Sequence, residues 1–318
     1  MDAKFQAPKV DGRSWALLLP GKELDWEWSH FDLLYAQARQ EIEANPALPP
    51  FARHLLTGID ESTRIVTDGT VVAGVLPAYA RTGDAEEFEV TQWHFAMTPH
   101  CLVTARRRAT RTLVNLWEQV QHGLRPAGPA AFIELCIAEF AREARLRLAA
   151  LAGELDPLED MLIENRDSGA LADLGGRPGA ARREATRLKR ALTPLARALD
   201  EGAEDLPEWA ASLSEPGAGH RALHSALDDI AALHDRARSL QDELTTRLAE
   251  ETNRRLYIVS LVTTLFMPAT FVTGFFGMNT GGLLWGGDAV PHGTWFAALV
   301  CFCAVLVTLL LLRAKRML

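Results

Sequence analysis

Two sets of side chains in this sequence have the types and the spacing to handle a cation. Asp228, Asp235 and Asp242 stand at seven-residue intervals, and a heptad interval keeps them on one face of a supercoiled helix. In a symmetric oligomer each would become a ring of carboxylates, the device by which cation pathways concentrate their ion; a solvated helix face fits the same pattern. His220 and His224, in His-Arg-Ala-Leu-His, are four apart and share a helix face, a spacing that can bind zinc. Such a pair also arises by chance as plain surface in a chain with nine histidines.

Downstream, Ser260, Thr263, Thr264, Met267, Thr270 and Gly274 fall within one stripe about 120° wide when each residue turns the helix by about 100°. Ile258, Leu261, Val262, Leu265 and Val272 mostly occupy the rest of the circumference. Small and hydroxylated residues line contacts between membrane helices, and a water-filled pore asks for the same residues. The stripe continues back through Leu256, which with Ala249 keeps the heptad register of the aspartates, to Asn253, and forward to the uncharged Gly277-Met278-Asn279.

The element that must carry this stripe is a membrane span. Tyr257 to Phe276 contains no charge and no Asn or Gln, long enough to cross a hydrocarbon core of roughly 30 Å as a helix. Trp295 to Leu312 is a second uncharged run opening on an interfacial tryptophan. Arg254 and Arg255 precede the first span, Arg313, Lys315 and Arg316 follow the second, and the connecting loop from Thr280 to Thr294 holds five glycines and one charge, Asp288. The positive-inside rule then places both termini in the cytoplasm and the loop outside. The N-terminal stretch lacks a basic region followed by an apolar one, so no cleavable signal peptide is expected.

Ahead of the spans the chain reads as soluble. Ser14 to Pro20 reads as a short buried strand, and Phe31 to Ala44 as a helix ended by Pro46, Pro49 and Pro50. Arg64 to Thr67 and Val71 to Pro77 flank Asp68-Gly69, a strong hairpin signal. Phe88 to Met97 and Cys101 to Arg106 are further strands. After Pro126 the composition turns to Ala, Leu, Glu and Arg, that of long helices. Pro129 to Asn165 reads as one helix, or one broken at Pro157, and Ala180 to Leu199 as another, with Pro194 inside it. From about Gly219 a third helix runs without Gly or Pro to Phe266, straight into the first span; oligomerisation is the natural way to cover so long an element. The expected fold is α+β: a mixed sheet between helices over residues 1–127, a cytoplasmic bundle and stalk over 128–256, and a transmembrane hairpin over 257–318, with spans 257–276 and 295–312 around an outer loop 277–294.

Charge and motifs narrow the function. The formal charge of −8 over 318 residues speaks against a nucleic-acid partner for Arg106, Arg107, Arg108 and Arg111; these are expected to pair with nearby carboxylates. Cys101 and Cys136 are expected to stay reduced, and Cys301 and Cys303 lie two apart in the second span, so a cysteine zinc cage is not expected. No phosphate loop, nucleophile motif or paired catalytic carboxylates stand in a plausible turn, so an enzyme is not expected.

Phe-Met-Pro-Ala-Thr-Phe at 266 to 271, then Gly274, then Gly277-Met278-Asn279 resembles the first span and signature of the CorA-type divalent-cation channel and transporter superfamily. The signature sits near the C-terminus, one more span follows it, and a long charged helical region precedes it, as in that family. Gly281-Gly282-Leu283 and Trp285 resemble its zinc-transporting branch, and the acidic Met-Pro-Glu-Leu usual in the magnesium channels is missing. The resemblance implies a homopentameric funnel in the bacterial-type inner membrane, zinc as cargo and proton coupling, with no resident cofactor. It implies an outer mouth at Gly277, Met278 and Asn279, an inner polar position at Asn253, and hydrophobic constrictions at Leu256 and Met267 that gate by dewetting. Pore lining then falls to Asn253, Leu256, Ser260, Thr263, Met267, Thr270 and Gly274. A magnesium, cobalt or nickel channel, a zinc exporter, and a membrane-anchored coiled-coil sensor or scaffold remain the alternatives.

Overall fold

A computed structural model describes residues 14–21, 24–80, 89–164, 174–202, 205–213, 217–277 and 293–314. Contacts divide the chain into two compact units, one reaching to Gln241 and the other beginning at Asp242.

The first unit is built on one six-stranded mixed sheet. Its strands are β1 (Ser14–Leu19), β2 (Trp26–Asp32), β3 (Arg64–Thr67), β4 (Val72–Tyr79), β5 (Val90–Thr98) and β6 (Cys101–Arg106), in the order β1-β2-β6-β5-β4-β3. Only β2 and β6 run parallel, with Trp28 opposite Leu102 and His30 opposite Thr104. The hairpin expected at Asp68-Gly69 joins β3 to β4. Gly69 takes φ +88, a left-handed conformation that glycine adopts without steric cost, and Asp68 Oδ1 accepts from the Thr70 and Val71 amides at 2.9 Å each.

Helices cover both faces of the sheet. On one side α1 (Ala36–Ala44) and α2 (Pro50–Thr57) supply Ile42, Ala52, Leu55 and Leu56 to a core with Val75, Ala96 and Val103. On the other lie α3 (Arg111–Gln121) and α4 (Pro129–Ile163), where Phe132 stacks on Trp28 at 4.3 Å and Trp117 on Trp15 at 4.2 Å between ring centroids. Every residue of β4 is buried, which suits a strand packed on both faces.

Several expectations are corrected. Phe31 and Asp32 end β2, and the helix begins only at Ala36. The sequence reading passed over β2, whose buried Trp26, Trp28 and His30 alternate with exposed or half-buried neighbours. It also passed over α2, where Pro50 opens the helix at a position with no N–H to satisfy, and α3. Helix α4 runs unbroken through Pro157; the residue four back, whose carbonyl the ring crowds, is Gly153. Helix α5 (Arg177–Gly202) contains Pro194 and extends past the expected ends. A short 3-10 turn (Glu208–Leu213) leads to α6 (Ala218–Gly277), a single 60-residue helix that includes the whole first apolar stretch, and α7 (Gly293–Ala314) contains the second.

Candidate functional site

Helix α6 is the element on which most of the sequence-predicted residues sit. In the first unit its buried residues are Leu223, Ala226, Ile230, Leu233, Ala237 and Leu240, a three-four alternation. Beside this buried seam, Arg145–Asp229 (2.9 Å) and Arg236–Asp156 (2.8 Å) join α6 to α4, with Arg236 also paired to Glu159. Asp228, Asp235 and Asp242 are all exposed. With Leu223 and Ile230 as first positions of successive heptads, the three aspartates take the sixth position, on the side away from the seam.

The second unit repeats the spacing with the opposite outcome. Leu261, Leu265, Pro268 and Val272 are half-buried, and the thiol of Cys301 on α7 lies 3.8 Å from the Ala269 carbonyl. Asn253, Leu256, Ser260, Thr263, Met267, Thr270 and Gly274 are exposed, again at alternating intervals of three and four. Leu256 is 62 % and Met267 67 % exposed. The hydroxyls along this stripe donate to their own helix: Thr263 to Val259 O at 2.8 Å, Thr264 to Ser260 O at 2.8 Å and Thr270 to Phe266 O at 3.0 Å. Each proton is thereby used inside the helix, and the remaining lone pairs make the stripe an acceptor surface. Pro268 has no N–H for the Thr264 carbonyl, which adds one more acceptor at this level. Gly277 is the last residue of α6, and Met278 and Asn279, like Gly281 to Trp285, lie outside the described residues.

An 18-residue window of this helix has a mean hydropathy of 1.7, and none of it is buried within the chain. Among the described residues it is the one helix long and apolar enough to cross a membrane; Ala298–Ala314 is a shorter apolar helix. A family model described as CorA-like Mg2+ transporter protein matches residues 23–316. The chain belongs to this divalent-cation transporter family. Among its relatives is a Zinc transport protein ZntB of Yersinia pseudotuberculosis serotype O:1b (strain IP 31758), 26% identical over 294 residues that cover 89% of this chain and 84% of the relative. Another protein of that name, from Enterobacter sp. (strain 638), is 26% identical over 320 residues, 97% of this chain and 92% of its own. The CorA magnesium transporter of Methanocaldococcus jannaschii shares the fold with a TM-score of 0.72 at 15% identity, over 94% of this chain and 97% of that one. The full-length CmaX protein does so with a TM-score of 0.71 at 22% identity, over 92% and 89%.

Away from that helix the structure assembles groups the sequence reading did not find. Glu139 and Glu143, one turn apart on α4, are both buried, and Asn115 of α3 donates to both, at 2.8 and 3.3 Å. Burial pushes Glu143 up to about 7, with Thr112 and the arginines Arg111 and Arg142 pulling down and Glu139 pushing up. Burial also works to raise Glu139, but hydrogen bonds from Arg142 and Asn115 outweigh it and its pKa falls. The same burial keeps His30 uncharged, its pKa lowered to about 3 with help from Arg106. Asp200, on α5, accepts a hydrogen bond from His220 Nε2 at 3.0 Å and lies 3.7 Å from His224 Nε2. Nothing in the sequence ties Asp200 to that pair, since the pairing depends on how α5 returns to the start of α6.

Arg108 makes a two-pronged ion pair with Glu89, whereas Arg107 donates to the Thr57 carbonyl at 2.9 Å and so ties β6 to α2. All four cysteines are free, and burial raises the thiols of Cys101, to about 11, and Cys136, which leaves them protonated and poor metal ligands.

Proposed function

We propose that this chain is an inner-membrane zinc importer that works as a homopentamer with both termini in the cytoplasm, coupled to an inward proton gradient. The observation that carries the reading is the exposed polar stripe from Asn253 to Gly274, set on the side of α6 away from the residues that turn toward α7. An apolar length left mostly exposed by its own chain must be covered by lipid or by other copies, and an oligomer with these stripes inward would enclose an acceptor-lined channel. The ion passes hydrated, met by hydroxyl and carbonyl oxygens and by the Asn253 amide, because the stripe offers none of the soft ligands that would strip a bare zinc ion. Leu256 and Met267 close the channel by dewetting, Gly277, Met278 and Asn279 form its outer mouth, and the rings of Asp228, Asp235 and Asp242 gather cations at its inner approach. Zinc as cargo is supported by the relatives named for zinc transport.

A second reading, a magnesium, cobalt or nickel channel, is favoured by the family description itself. Uptake of radioactive zinc and magnesium into liposomes holding the purified chain separates the two. Zinc uptake that rises with an inward proton gradient supports the importer; magnesium uptake driven by voltage alone moves the chain to the channel reading, and no flux of either leaves a membrane-anchored scaffold. Within the importer, Asn279→Ala is expected to abolish flux with assembly intact, and Asp235→Ala with Asp242→Ala to weaken zinc uptake at low zinc while leaving the maximal rate.

A further inference from the structure

The histidine pair at the start of α6 has a third partner. His220 and His224 present their rings side by side with centroids 4.4 Å apart, and the Asp200 carboxylate reaches them from the last turn of α5. One donor atom from each of the three lies within 4.8 Å of the others. Zinc bonds of about 2.0–2.1 Å in a tetrahedron set neighbouring donors about 3.3 Å apart, so the observed 3.0 and 3.7 Å are nearly there without an ion. Asp200 is half-exposed, so the carboxylate can rotate to complete the fit and an ion can enter from solvent. His224 Nε2 is itself shielded from solvent and has no hydrogen-bond partner among the described residues, a cost that a metal bond would remove.

We propose that Asp200, His220 and His224 form a binding site for a single zinc-class divalent cation, held within one chain and separate from the membrane stripe. Two imidazoles and one carboxylate favour zinc over magnesium, which prefers oxygen ligands in an octahedron. Three protein ligands leave a fourth position for water or for Glu134, whose carboxylate presses on the turn before α6 so closely that a side chain at Gly217 would strike it. A bound ion would fasten the end of α5 to the first two turns of α6, the helix that goes on to form the apolar stretch. The site stands on side chains of the first unit alone and does not rest on the transport reading.

Zinc titration of the full-length protein in nanodiscs, in competition with a chromophoric chelator, tests it, with cobalt as a spectroscopic stand-in. Wild type and His234→Ala are expected to bind one more zinc per chain than His220→Ala, and to give the strong visible absorption of four-coordinate cobalt. Asp200→Asn, a near-isosteric change on a half-exposed residue that should not disturb folding, is expected to weaken that zinc by about 10–100-fold. Zinc should raise the melting temperature of wild type and leave that of His220→Ala where it was. Equal stoichiometry and equal cobalt spectra in wild type, His220→Ala and Asp200→Asn would overturn the site. Unchanged flux in Asp200→Asn would leave the transport reading standing, and loss of flux in wild type with the extra zinc still bound would sink transport and keep the site.

Discussion

Helix α6 uses one spacing twice, and the two uses differ in what covers them. From Leu223 to Leu240 the alternation of three and four is apolar and buried within the first unit. From Asn253 to Gly274 the same alternation is mixed in polarity and exposed. A regular seam in a helix states that something packs there; only its chemistry says what. Aliphatic residues with ion pairs along the margins ask for another helix of the same chain, whereas hydroxyls, small residues and two large apolar side chains ask for water, lipid or a symmetry mate.

Truncating one residue in each seam gives the largest expected contrast. Ile230→Ala should destabilise the first unit by about 3 kcal/mol, because a buried side chain is replaced by a cavity. Leu256→Ala should leave the thermal unfolding of that unit unchanged and instead raise resting leak in liposomes, since it thins a proposed constriction. Equal losses of stability in the two variants would mean that the exposed seam is a fold contact after all.

The same contrast decides how much could be read from the chain beforehand. The long helix, both apolar stretches, the β3–β4 hairpin and strands β1, β5 and β6 were legible because each is announced by periodicity or by a turn dipeptide. Strand β2 was not: its alternation in Trp-Glu-Trp-Ser-His-Phe-Asp uses polar His30 on the buried side, where Thr104 supplies the hydrogen bond at 2.8 Å. Helix α3 was hidden because it follows directly on the arginine cluster and opens on its last member, Arg111. Among candidate residues, the stripe and the His220–His224 pair were visible since each lies on one helix. Asp200 and the Glu139–Glu143–Asn115 group were not, since each joins residues of different helices and sequence spacing says nothing about which helices meet.

The buried carboxylates sharpen the comparison from the other side, because they titrate in the covered region where the exposed stripe offers no ionisable group. Glu143 has its pKa raised from the ordinary 4.5 to about 7. The native state therefore holds a proton that the unfolded chain gives up, so the contribution is full below pH 4.5 and is lost as pH rises through 7. Glu143→Gln should remove that slope and gain about 2 kcal/mol at pH 8 relative to wild type, read as the melting temperature at pH 5 and pH 8. A variant that melts below wild type at pH 8 would show that the charged carboxylate is what Thr112 and Asn115 are arranged to hold.

The smallest expected effect lies at the margin of the buried seam. Arg236 joins α6 to Asp156 and Glu159 of α4, but all three side chains are a third or more exposed, and water and salt screen such contacts. Arg236→Ala should cost about 0.5 kcal/mol, and the cost should shrink further in high salt, while Ile230→Ala keeps its full effect. If the arginine proved worth as much as the isoleucine, the seam would be held by charge, and the distinction drawn between the two halves of α6 would have to rest on electrostatics instead of burial.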